Sequence, residues 1–95
     1  MTQNVVPNGD AKNHAAPNVD LCDLLPAEAR ARVFQAFFRV KPGQRAVVVA
    51  NSAEVERELL RWVDETGHRL IRHNKAEDNG RTLVTLELVK MEARR

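Results

Sequence analysis

Apolar residues from Val19 onward fall into runs of two periods, and each change of period marks a new element. Val19 to Cys22 is a short apolar-rich segment closed by Asp23, which predicts a first strand. A helix is predicted from Pro26, whose missing N–H would have no intrahelical partner in the first turn, while Glu28 sets a negative charge at the positive helix end. Ala29, Val33, Ala36, Phe37 and Val40 recur at helical spacing, with Phe34 and Phe38 widening the stripe, and Lys41-Pro42-Gly43 stops it. Ala46 to Ala50 is a continuous β-prone run, as expected of a central strand covered on much of both faces.

Asn51, followed three residues later by Glu54, reads as a capping box for a second helix with Val55, Leu59, Trp62, Val63 and Thr66 on its buried face. Gly67 ends that helix as a left-handed residue. His68 to Asn74 alternates weakly around Leu70 and Ile71, Lys75 to Gly80 reads as a polar turn, and Val84, Leu86 and Leu88 alternate in a last strand. The order β-α-β-α-β-β predicts an α+β fold: a two-layer α/β sandwich in which two helices cover one face of a mixed four-stranded sheet.

The first 18 residues change the picture only by subtraction. Asn4, Asn8, Asn13, Asn18, Pro7, Gly9 and Pro17 carry no apolar period, so residues 1–18 are expected to form a disordered tail, with the domain over 19–90 and a short tail over 91–95. Ninety-five residues suffice for one core and not two. Lys and Arg number 15 against 13 Asp and Glu, a balance that argues against a strong polyanion-binding role. One cysteine cannot form an internal disulfide, and neither a signal segment nor a run of 18 apolar residues is present, so the expected compartment is the cytoplasm, without membrane association.

Several residues at matching spacing resemble the TusA/SirA sulfur-carrier family. Its strand reading Leu-Asp-x-x-Gly-x-x, followed by Cys-Pro-x-Pro at the first helix start, corresponds to Val19-Asp20-Leu21-Cys22-Asp23-Leu24-Leu25 and then Pro26-Ala27-Glu28-Ala29. Pro42-Gly43-Gln44 falls where that family has Pro-Gly-Glu, and Gly67-His68 is similar to its Gly-His pair before the third strand. The resemblance covers about Val19 to Lys90 and implies a two-layer sandwich with a helix-start cysteine that becomes a persulfide. Here Pro26 stands at that cysteine's position, as in a related branch of uncharacterised domains with proline there. Asp23, Pro26 and Glu28 therefore mark the family-site position without its sulfur.

The residues leave three functional readings. The first is a non-catalytic binding or adapter protein, linked to sulfur or redox metabolism by the resemblance alone, with another protein as its partner. Its candidate surface is Phe34 and Phe38 with Arg30 and Arg39, unless the two phenylalanines simply complete the core. The second is a sulfur carrier that uses Cys22, a residue equally suited to half-buried packing at a strand end, where Asp23 opposes thiolate formation. The third is an RNA-binding module on the basic rim of Arg30, Arg32, Arg39, Lys41 and Arg45, a reading that the absence of a stacking platform weighs against. His68 and His73, five apart on one strand, should leave opposite faces, and His14 belongs to the tail, so neither a metal site nor a cofactor is expected. No phosphate loop or nucleophilic triad has support.

Overall fold

The apolar run Arg45–Ala50 forms strand β2 near the middle of a four-stranded sheet in a computed structural model that describes residues 17–92. Around it in chain order lie β1 (Asn18–Asp20), α1 (Pro26–Phe37), α2 (Ala53–Thr66), β3 (Arg69–Asp78) and β4 (Arg81–Val89). The sheet order is β1-β2-β4-β3, with β1 parallel to β2 and the β4 pairings antiparallel. This is the mixed four-stranded α+β arrangement expected from the hydrophobic periods.

Alternation along the strands sets the faces. Ala46, Val48 and Ala50 of β2 and Val84, Leu86 and Leu88 of β4 are all fully buried under the helices. The helices answer with Ala29, Val33 and Phe37 from α1 and Val55, Leu59, Trp62 and Val63 from α2. Those side chains make one continuous core. Gly67 ends α2 at φ 79°, a left-handed conformation that glycine adopts without a Cβ clash, and its N–H reaches the Val63 carbonyl at 2.9 Å.

Four local expectations need correction. The first strand is Asn18–Asp20, one residue earlier and two shorter at its end than Val19 to Cys22, because Asn18 pairs with Val47 and Pro17 accepts the Val47 N–H at 2.8 Å. The rest of the expected N-terminal tail, 1–16, lies outside the described residues, as do 93–95 of the C-terminal one. Helix α1 closes at Phe37, before Lys41-Pro42-Gly43, through a run of tight turns in which Arg39 and Val40 donate to Ala36 and Phe37. The N-cap of α2 is Ser52, whose hydroxyl accepts the Val55 N–H at 3.1 Å, so the cap is one residue later than Asn51 and, with Val55 at the third helical position, no reciprocal box forms.

The fourth correction is the largest: Lys75 to Asp78 extend β3 and only Asn79-Gly80 turn. Both turn residues have positive φ, 54° and 76°, the combination that a two-residue hairpin turn demands. Charged residues are compatible with a strand here because β3 is a sheet edge.

Candidate functional site

The β1–α1 junction holds the thiol. Leu21 continues the β1–β2 ladder by donating to Val49 at 2.7 Å, and the Cys22 N–H then turns back onto Asp20 Oδ1 at 3.0 Å. Asp23 follows in a left-handed conformation, φ 66°, which a short polar side chain tolerates. Its N–H donates to Asn51 Oδ1 and its Oδ1 accepts from Asn51 Nδ2, both at 2.9 Å, which fastens the junction to the β2–α2 loop. Cys22 thus faces a cleft of about 800 Å³ shared with Asp23, Asn51, Ser52 and Arg81.

The electrostatics of that cleft run against nucleophilic sulfur. Burial, then hydrogen bonding to Asp20, then the charges of Asp20 and Asp23 push the Cys22 thiol up to about 11. The Asp20 carboxyl moves the other way, held below its usual value chiefly by the Cys22 N–H. A persulfide carrier needs a thiolate at neutral pH. Cys22 is a protonated thiol there.

Pro26 opens α1 at its first position, and Glu28 reaches back to accept the Leu25 N–H at 2.9 Å. Glu28 is therefore spent on capping. Pro26 lines no part of the Cys22 cleft; it belongs to a groove of about 650 Å³ between α1 and α2, whose other walls include Ala27, Arg30, Phe34 and Trp62. The thiol and the start of α1 open onto different hollows.

Phe34 and Phe38 do not complete the core: they are 55% and 71% exposed and meet edge to face, with ring centroids 5.0 Å apart. Phe37, between them in sequence, is the buried one, against Trp62 at 4.9 Å. Arg30 is no free cation, since Glu58 at 2.8 Å and Glu65 both grip its guanidinium and raise its already high pKa. Arg39 lies apart, lining a separate hollow with Arg32 beside Val19. The surface beside the α1–α2 groove is consequently an apolar patch rather than a basic one.

Two clusters escaped the sequence. Glu56 is buried on α2 with its carboxylate 2.7 Å from His73 Nε2 and 3.1 Å from Lys75 Nζ. Burial pushes this carboxyl up, but the hydrogen bonds from His73 and Lys75 outweigh it and the pKa ends below its usual value. The available signal was the spacing of Glu56, Leu59 and Val63, which sets Glu56 on the buried stripe of α2. His68 packs against both Phe37 and Trp62, with ring centroids 5.1 and 5.3 Å away, and its Nδ1 accepts the Met91 N–H at 3.1 Å. Both histidines turn toward the helix layer, contrary to the opposite faces expected, because His68 precedes β3 and a bulge between Leu70 and Arg72 shifts the alternation.

Among the described residues no three His, Cys, Asp or Glu side chains group as metal ligands, and no helix is long and apolar enough to cross a membrane. Comparison with protein families, with curated proteins and with solved structures finds no match to this chain.

Proposed function

We propose that this protein is a non-catalytic, TusA-like binding or adapter module of the cytoplasm that docks another protein on the exposed face of α1. The observation that carries this reading is the contrast between its two candidate sites. At the family-site position stands a proline, and the one thiol nearby is held protonated by burial and two aspartates. Further along, α1 and its C-cap spend two aromatic side chains, Phe34 and Phe38, largely on open solvent, where exposed rings cost solubility. Aromatic residues of this kind are typical anchors of protein interfaces. Arg30, neutralised by Glu58 and Glu65, leaves the adjoining groove free of the net positive charge that RNA recognition needs. A link to sulfur or redox metabolism rests on the resemblance of residues 19–90 to the sulfur-carrier family.

Incubation with a persulfide donor followed by intact-mass measurement tests the non-carrier half of this reading. Wild type is expected to gain no stable sulfur atom; a gain that disappears in Cys22→Ser would establish the carrier instead. For the binding half, affinity capture with wild type and with a Phe34→Ser/Phe38→Ser variant should yield a partner retained by the first alone. Identical captures by the two proteins would refute the α1 face as the docking surface.

A further inference from the structure

Strand β3 is an open edge of the sheet: among the described residues it pairs with β4 alone. The bulge between Leu70 and Arg72 leaves 72–78 as its uninterrupted stretch. Asp78 and Arg81 close the Asn79-Gly80 turn, and in a two-residue hairpin of this type that closing pair is hydrogen-bonded. Hydrogen-bonded and non-hydrogen-bonded pairs then alternate, so the backbone groups of His73, Lys75 and Glu77 point away from β4. They form a row of donors and acceptors open to another strand.

Among the described residues the outer half of the hairpin also has no third strand. Strand β2 ends with Ala50 opposite Val84, while β4 continues to Arg81 against β3, so Ala76 to Leu83 is a ribbon two strands wide. Such ribbons are marginal in water. Leu83 on it is 45% exposed.

Charge along β3 selects the strand that fits. Arg69, Arg72 and Lys75 occupy its first part, and the sequence turns acidic at Glu77-Asp78. Charges on an edge ordinarily repel strand addition. Here the signs are segregated by position: a parallel copy would set like on like, whereas an antiparallel copy in the register that places Lys75 of each β3 opposite Glu77 of the other pairs opposite charges twice over by two-fold symmetry. We propose that the protein forms a homodimer by antiparallel pairing of β3 with β3 of a second copy, which joins the two sheets into one of eight strands and widens both hairpin ends. This interface uses the β3 edge of the sheet and not the Phe34–Phe38 patch, and it does not rest on the function proposed for that patch.

An edge of seven residues is small beside the roughly 1,600 Å² of a standard interface, so the dimer is expected to be reversible, with a dissociation constant in the micromolar range. Sedimentation velocity on the full chain over a concentration series reads it directly. Wild type should pass from monomer to dimer, with the transition displaced to higher concentration as salt is raised. Glu77→Lys, whose side chain is exposed, and Lys75→Glu should each weaken the dimer about tenfold or more, and an equimolar mixture of the two should recover it because each altered edge meets its complement. Lys75→Glu also loses its contact with Glu56; should it fail to fold, Glu77→Lys alone decides. A wild type that stays monomeric throughout overturns the proposal. So does a dimer that Glu77→Lys leaves unchanged.

Discussion

Asp23 and Asn51 hold each other through two hydrogen bonds of 2.9 Å, one from the Asp23 backbone and one from the Asn51 amide, across 28 residues of sequence. The left-handed turn at Asp23 is kept in place by this clasp. Asn51→Ala is expected to lower stability by about 1–2 kcal/mol, the range for two hydrogen bonds near the surface of which one involves an ionised carboxylate. Urea unfolding monitored by circular dichroism checks it. A change within about 0.3 kcal/mol would mean that solvent replaces both bonds at no cost.

Trp62 is 2% exposed and sits between Phe37 and His68, yet its indole Nε1 is buried without a hydrogen-bond partner among the described residues. Its contribution is therefore volume. Trp62→Ala should cost about 3–5 kcal/mol, and Trp62→Phe, which keeps a ring and forfeits no hydrogen bond, about 1–2. Equal losses in guanidinium unfolding would indicate that the indole N–H matters after all.

Exposure predicts the opposite for the α1 patch. Phe34→Ser and Phe38→Ser should each change stability by no more than about 0.5 kcal/mol while removing the docking surface. Thermal midpoints several degrees below wild type would assign the two rings a packing role instead.

His68 gives the fold a pH dependence in a defined direction. Burial, and secondarily the charge of Lys90, depress its pKa below the unperturbed 6.5. Below 6.5 the unfolded chain takes up a proton that the folded one refuses, so stability present at neutral pH is lost as pH falls from 6.5 through the folded-state value. Asp20 and Glu56, also depressed, add a second loss at lower pH, below their ordinary 3.8 and 4.5. His68→Asn keeps an acceptor for the Met91 N–H and cannot titrate, so its thermal midpoint should lack the first decline and retain the second.

The thiol cleft and the α1 start can be compared by reactivity. With its pKa pushed up to about 11, Cys22 should alkylate slowly at neutral pH and faster as pH rises. Pro26→Cys in a Cys22→Ser background places a thiol on the first turn of α1, where the helix N-terminus lowers its pKa, and should react faster at pH 7. The reverse ranking in an iodoacetamide time course would return the carrier reading on Cys22 to consideration.

Where a single period governed a segment, the sequence was legible: Ala29, Val33 and Phe37 and the alternation of Val84, Leu86 and Leu88 are buried as their spacing requires. The second half of β3 was not, because its side chains carry no apolar alternation and strand formation there is dictated by pairing with β4. Asn51 read as a cap because its spacing to Glu54 satisfies the box, but its amide is taken by Asp23, 28 residues away, and Ser52 assumes the role. Of the candidate site, the burial of Phe37 between two exposed phenylalanines follows from helical geometry. The gripping of Arg30 by Glu58 and Glu65 is a contact between two helices that spacing within one of them does not reveal.

The place of β4 in the sheet also orders events during synthesis. It is the last strand to be made, yet it lies between β2 and β3 and supplies every hydrogen-bonded neighbour that β3 has among the described residues. Past its end, Lys90 binds Gln44 and Gly43 through its backbone and the Phe37 carbonyl through its Nζ, and thereby fastens the α1–β2 connection. Until β4 and Lys90 have left the ribosome, among the described residues β2 has only the three-residue β1 beside it and β3 has no strand to pair with. The sheet therefore closes in one late step, and a nascent chain halted before β4 presents the side of Val47, Val48 and Val49 that β4 would cover as an open strand edge for chaperones to recognise.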